Sequence, residues 1–168
     1  PFQMIDFKEN NTEFENLNIV ELLNKNYNTW GVVINTDKSS GNGKHWFALF
    51  GDFRKEPYTI EYFNSSGELP YKEIQEWMTK KKLEWSSSLN KNIKIVIASQ
   101  YQYQYDTHSC GAYSLYYIIS RILDIPYGHF NKNKVNASIG VPTHINEQTL
   151  DFAFKENVSF LVNPALEQ

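Results

Sequence analysis

An α+β fold is what these 168 residues predict, with a mixed or antiparallel central sheet flanked by helices. Three observations lead there. The runs Thr29 to Asn35 (TWGVVIN), Lys44 to Phe53 (KHWFALFGDF) and Tyr58 to Phe63 (YTIEYF) read as strands and stand close together in the chain. Segments of helical period lie on both sides of that group. No internal repeat and no linker divides the sequence, so residues 1–168 are expected to form a single domain.

The elements follow in order. Phe2 to Phe7 (FQMIDF) is a short apolar stretch expected to be extended. Asn11 and Thr12 offer helix caps, and Glu15 stands three residues after Thr12 as in a capping box. Phe14, Leu17, Ile19, Val20, Leu22 and Leu23 then predict one helix. Asp37 to Gly43 is a Ser/Gly/Asn loop, and Arg54 to Pro57 is a turn, so the strands around that turn should pair antiparallel. Asn64-Ser-Ser-Gly67 interrupts the pattern. A helix is expected from Pro70, with Ile74, Trp77, Met78 and Leu83 as its core stripe and Lys80 to Lys82 as its solvated end. Asn92 to Ala98 (NIKIVIA) predicts a buried strand, and Ser99 to Ser109 a polar loop. From Cys110 to Leu123 the chain is apolar nearly all round, which predicts a buried helix with Thr107 or Ser109 as its cap. It should end near Ile125-Pro126. Tyr127 to Thr143 looks irregular, and Asn146 to Phe160 predicts a last helix.

Composition narrows the function. The net charge of −3 carries no global basic bias, so nothing points to nucleic acid. A single cysteine cannot make an internal disulfide, which fits a reducing, intracellular compartment. No apolar run approaches the length of a membrane span, and no signal peptide is visible. The first residue is Pro1 and not Met, which suggests processing. Asn-x-Ser/Thr matches at Asn10, Asn64, Asn136 and Asn157 are expected by chance in so asparagine-rich a chain.

The chemistry centres on Cys110, at or just inside a helix N-terminus, where the helix dipole favours a thiolate. A lone cysteine also packs readily as a small hydrophobe. A thiol nucleophile needs a base, a group to hold the base and donors for an oxyanion. Four histidines are candidates: His45, His108, His129 and His144. No pair has metal-ligand spacing and no Cys/His cluster exists, so zinc is not expected. His45 stands at the start of a strand after a flexible loop. Asn64 ends the strand expected to pair with it, and is placed to accept from one imidazole nitrogen while the other faces the thiol. Asn64 also suits the turn before Gly67.

The order His45-Trp46, then Asn64 within YFNSSG, then Gln104 six residues before Cys110-Gly111, resembles the cysteine proteases of the adenovirus-protease and SUMO-protease (Ulp1-like) clan. Within it the chain is most similar to the polyprotein-processing proteases of African swine fever virus and other large DNA viruses. The phrases GVVINTD, GKHW, EYFNSSG and CGAYSLYYII carry the likeness, over roughly Phe2 to Val162. The resemblance implies that Cys110 is the nucleophile, His45 the general base and acid, and Asn64 the residue that orients His45. It implies that Gln104 donates to the oxyanion beside the Cys110 backbone N–H, with Gln102 as a near alternative. Trp46 would wall a narrow channel for a Gly-Gly substrate backbone. Many clan members carry Asp where this chain has Asn64.

The expectation is therefore a cofactor-free cysteine endopeptidase that cleaves viral structural polyproteins after Gly-Gly, in the host cytoplasm, virus factory or virion. A deconjugating enzyme for a ubiquitin-like modifier competes, because those modifiers also end in Gly-Gly. A non-catalytic interaction module competes less well, since decay usually removes one of the four residues.

Overall fold

Alternation along three strands builds the middle of the molecule. In a strand, successive side chains face opposite sides of the sheet. Trp30, Val32, Ile34, Phe47, Leu49, Ile60 and Tyr62 pack in one buried cluster, and Val33, Ala48, Phe50 and Phe63 in another. A sheet covered on both faces needs near-continuous apolar runs, and TWGVVIN and WFALFGD are such runs. The computed structural model describes residues 2–6, 12–37, 45–99 and 102–124. Among them, in chain order, are β1 (Phe2–Asp6), α1 (Thr12–Glu15), α2 (Ile19–Asn24), β2 (Thr29–Asn35), β3 (Trp46–Asp52), β4 (Tyr58–Phe63), α3 (Lys72–Leu89), β5 (Ile93–Ile97) and α4 (Cys110–Ile122).

The strands form one mixed sheet in the order β1-β2-β3-β4-β5. β2, β3 and β4 pair antiparallel, whereas β1 lies parallel to β2 and β5 parallel to β4. This is the α+β architecture expected. Phe14, Ile19, Ile74, Met78 and Trp85 from α1, α2 and α3 cover one face. Tyr113, Tyr117 and Ile118 of α4 cover the other. Small residues let α4 sit close: a Cβ on Gly31 would meet Ile118 Cγ2 at 2.8 Å. On the opposite face a Cβ on Gly51 would fall 2.0 Å from Trp30 Nε1, so the indole needs that glycine.

Four local expectations are corrected. The helix expected over Phe14 to Leu23 is two short ones, because Asn18 takes an extended conformation and its side chain accepts from Val20 N at 3.0 Å. The basic triplet does not end α3. Its apolar stripe leaves out Leu83, which is exposed, and continues through Trp85 and Leu89; the helix stops where Asn90 turns left-handed, at φ 50°. Lys81 is accordingly buried, at 5 % exposure, with its ammonium 3.4 Å from Glu84 and over the Trp85 ring. The strand expected to be buried, β5, lies at the sheet edge, and only Ile93 along it is fully enclosed. Neither Thr107 nor Ser109 caps α4 through its side chain; Ser109 holds the cap position, but its hydroxyl goes to Asp106. The helix expected at Asn146 to Phe160, and His129 and His144, lie outside the described residues. Among the described residues no helix is long and apolar enough to cross a membrane, and no group of three or more His, Cys, Asp or Glu could hold a metal ion.

Candidate active site

The hairpin of β3 and β4 sets the site. Its register, Ala48 with Phe63, carries the start of β3 to the end of β4. His45 is the residue before β3, and its carbonyl accepts from Thr36 N at 2.8 Å, which extends the β2–β3 ladder. Asn64 is the residue after β4. Its backbone N–H donates to Ser99 Oγ at 2.6 Å, just beyond the end of β5. With both backbones held, His45 Nε2 lies 2.6 Å from Asn64 Oδ1. The direction of the Asn64 amide is decided by its other neighbours. Oδ1 also accepts from Ser66 N at 3.0 Å and Ser66 Oγ at 2.8 Å, and Nδ2 donates to the Tyr62 hydroxyl at 3.1 Å. An oxygen facing Nε2 requires the proton on that nitrogen.

Cys110 begins α4 on the other side of the ring. Its thiol and the His45 imidazole are hydrogen-bonded. Because Nε2 is committed to Asn64, Nδ1 is the nitrogen left for the sulfur. Burial pushes the Cys110 thiol up. The hydrogen bond with His45, the backbone N–H groups of Trp46 and Gly111 and the attraction of His45 outweigh it, so the net shift is downward. His45 moves the other way: the bond to Cys110 raises it most, burial opposes, and Asn64 and the nearby Glu68 add to the rise. Both shifts favour a thiolate–imidazolium pair. The first-turn N–H groups of an α-helix lack acceptors within the helix, which adds positive potential at the sulfur. Trp46 lies against the same spot. A Cβ on Gly111 would sit 3.7 Å from Trp46 Cγ, so the indole packs over the residue next to the nucleophile candidate.

Gln104 stands one step removed. It is buried, at 6 % exposure. Its Oε1 accepts from Ser65 Oγ at 2.7 Å, and its Nε2 donates to the Asp106 carbonyl at 2.7 Å and approaches Asp106 Oδ1 at 3.3 Å. Gln102, the alternative by spacing, is exposed, and its amide donates to the Gln104 carbonyl. His108 is 81 % exposed at its side chain, beside Asp106 and turned to solvent. The structure thus brings Cys110, His45 and Asn64 into direct line, with Trp46 beside them. It links Gln104 to Cys110 through Asp106 and Ser109.

Ser65, Ser66, Tyr62 and Asp106 escaped the sequence reading. Asp-Thr-His-Ser ahead of Cys110 is an Asp-led turn signal, and it alone could have singled out Asp106. Nothing local marks the others, which earn their contacts by crossing between segments far apart in the chain.

The Ulp1 protease family, C-terminal catalytic domain, matches residues 29–139. The SUMO-1 cysteine protease of African swine fever virus is 34 % identical over 143 residues, covering 77 % of this chain and 52 % of that protein. A protein of Acanthamoeba polyphaga mimivirus named for thiol protease activity is 26 % identical over 121 residues, covering 72 % of this chain and 39 % of its own. The crystal structure of the African swine fever virus protease superposes with a TM-score of 0.66 at 28 % identity, covering 92 % of this chain and 57 % of that one. The chain therefore spans about half the length of these curated relatives from African swine fever virus.

Proposed function

The chain belongs to the Ulp1 protease family as a cysteine protease catalytic domain, and from that premise we propose that it is an endopeptidase acting after Gly-Gly. The observation that carries the reading is the line Asn64–His45–Cys110, with the 2.6 Å contact fixing which imidazole nitrogen is left for the thiol. In this reading the Cys110 thiolate attacks the scissile carbonyl carbon, a C–S bond forms, and the carbonyl π electrons move to oxygen. The Cys110 backbone N–H and the Gln104 amide receive that oxyanion. Collapse re-forms the carbonyl and breaks the C–N bond, and His45 delivers its proton to the departing amine. Water, deprotonated by His45, then attacks the thioester; the acid leaves and the thiolate–imidazolium pair returns. Asn64 keeps the imidazole in the required tautomer.

Trp46 supplies the Gly-Gly preference. An indole packed over Gly111 leaves little width beside the nucleophile, and a segment threaded there must have almost no side chain. Glycine also reaches backbone conformations closed to other residues. We place the natural substrates among viral structural polyproteins, cut in the host cytoplasm, virus factory or virion, because the relatives are viral. The relative's name, SUMO-1 cysteine protease, favours a second reading in which the substrate is a ubiquitin-like modifier.

A Gly-Gly probe carrying an electrophile, analysed by mass spectrometry, tests the core of the proposal. A single adduct on Cys110, absent from His45→Ala, is expected. Failure of the probe to label a protein whose Cys110 still reacts with iodoacetamide would sink the Gly-Gly reading. Paired peptides sharpen it: Gly-Ala before the cut should be cleaved far more slowly than Gly-Gly, and Trp46→Ala should narrow that gap. Labelling by full-length SUMO probe at a rate far above that of the short peptide probe would favour the modifier reading.

A further inference from the structure

Seven residues close a ring around the site. His45 contacts Asn64 at 2.6 Å, and Asn64 is joined by its peptide bond to Ser65. The Ser65 hydroxyl donates to Gln104 Oε1 at 2.7 Å, and Gln104 Nε2 donates to the Asp106 carbonyl at 2.7 Å. The Asp106 carboxylate accepts from Ser109 N at 2.7 Å and from Ser109 Oγ at 2.8 Å. Ser109 is joined by its peptide bond to Cys110, and Cys110 returns to His45 through the thiol–imidazole hydrogen bond. The backbone reinforces the same junction, since the Ser65 carbonyl accepts from both Tyr103 N at 2.8 Å and Gln104 N at 3.0 Å.

We propose that Ser65 and Asp106 are positioning residues that hold the Gln104 amide between them and fix its place relative to Cys110. This rests on the reading of Gln104 as an oxyanion donor. Ser65 takes the carbonyl end of the amide, which points the NH2 end toward the loop ahead of Cys110. Asp106 takes one N–H on its carbonyl oxygen. Gln104 Nε2 lies 3.3 Å from Oδ1, an oxygen already accepting from His108 N at 2.9 Å and Ser109 N. That contact is long for a bond to a carboxylate, so an oxyanion can compete for the second N–H while the Asp106 carbonyl keeps the first. A preset donor costs no reorganisation when charge develops, which is what makes such donors effective. Without the Ser65 hydroxyl the amide loses its carbonyl anchor, and without the Asp106 carboxylate the turn that presents the Asp106 carbonyl loses its three ties to His108 and Ser109; either loss lets the buried amide adopt other rotamers.

Two reactions of the same sulfur separate this role from simple scaffolding. Acylation of Cys110 by a Gly-Gly p-nitrophenyl ester passes through a tetrahedral oxyanion. Alkylation by iodoacetamide is a direct displacement and has none. Asp106→Ala, on an accessible loop, and Ser65→Ala, at the buried end, should each slow acylation about tenfold or more while alkylation keeps its rate. Asp106→Asn retains an oxygen for the two backbone N–H groups and should recover most of the acylation rate. Gln104→Ala is the reference and should slow acylation about 10²-fold with alkylation unchanged. If Gln104→Ala acylates normally, the donor reading fails and the clamp falls with it. If Gln104→Ala is slow but Asp106→Ala and Ser65→Ala are not, the clamp alone is wrong. Parallel loss of acylation and alkylation in Asp106→Ala and Ser65→Ala would make them scaffold for Cys110 and overturn the proposal.

Discussion

At the scale of single residues, the site depends on which atom faces which. The Cys110 thiol titrates below its usual value despite burial because His45 and two backbone N–H groups prefer the thiolate. The iodoacetamide rate, plotted against pH, should therefore have its midpoint below that of an ordinary cysteine. His45→Ala removes the hydrogen bond and the charge but leaves the two backbone N–H groups, so the midpoint should move upward from that of the unmutated chain. Identical profiles for the two proteins would refute the pairing. Asn64 allows a second test. In Asn64→Asp one oxygen keeps the contacts of Oδ1, and the Tyr62 hydroxyl can rotate to donate to the other. Turnover should stay within about tenfold of the unmutated chain, a barrier change of about 1.4 kcal/mol or less. Asn64→Leu strands Ser66 N and the Tyr62 hydroxyl as well as His45, and should lose most of its turnover. Equal rates for Leu and Asn forms would reduce Asn64 to a turn residue.

At the scale of elements, the question is what keeps α4 against the sheet so that Cys110 meets His45. Packing of Tyr117, Ile118 and Tyr113 supplies the area, and the stacked rings of Phe63 and Tyr117, 4.5 Å apart, lie in it. Polar groups lock the far end. The buried Glu61 carboxylate receives Arg121 Nε at 2.8 Å, an Arg121 terminal nitrogen at 3.0 Å, the Tyr117 hydroxyl at 2.6 Å and the Thr59 hydroxyl at 2.7 Å. Arg54 adds a second tie: it pairs with Asp52 and donates to the carbonyls of Arg121 and Ile122 at the helix end. Arg121→Met alone leaves a buried carboxylate without its charge partner and should cost about 3 kcal/mol in urea unfolding. Adding Glu61→Met removes the stranded charge and should recover part of that stability, the loss of an acceptor for the Tyr117 and Thr59 hydroxyls keeping the recovery incomplete. A double variant no more stable than Arg121→Met would show that the stranded charge is not the source of the loss.

At the scale of the whole molecule, a mixed sheet sits between two apolar layers, and charged groups gather where loops and helix ends emerge from it. Two of those groups make stability depend on acid. Burial opposes ionisation of Asp106, but the N–H groups of His108 and Ser109 and the Ser109 hydroxyl prevail and hold it down to about 2. Burial likewise opposes ionisation of Asp52, and Arg54 and Arg121 prevail to lower it. A carboxylate whose folded pKa is depressed stabilises the fold at pH above its unfolded value and loses that contribution as pH falls through the folded one. Melting temperature should therefore decline as pH drops from about 4 toward 2. Asp106→Asn should start lower at neutral pH and decline less. An unchanged slope in Asp106→Asn would show that its hydrogen bonds persist in the unfolded chain.

The strands and the helix that begins at Cys110 were legible in sequence because their signals are local. A two-residue alternation names a face, and an apolar stretch behind Cys110 names a buried helix, whatever the rest of the chain does. His45 and Asn64 could be paired because a hairpin places the start of one strand beside the end of the next, whereas the choice of His45 among four histidines as the partner of Cys110 came with the family resemblance. Other features depended on contacts between segments distant in sequence. α3 continues past three lysines because Trp85 and Leu89 find the sheet, and the stem of Lys81 lies along the same surface. Asn18 breaks a helix that periodicity alone would carry through. β5 is left at an edge because nothing described pairs beyond it. The ring through Ser65, Gln104 and Asp106 is the clearest case. Its bonds span 39 residues between Ser65 and Gln104 but only two between Gln104 and Asp106. A hydrogen bond reads position in space, and the sequence carries position in space only as far as a local pattern propagates it.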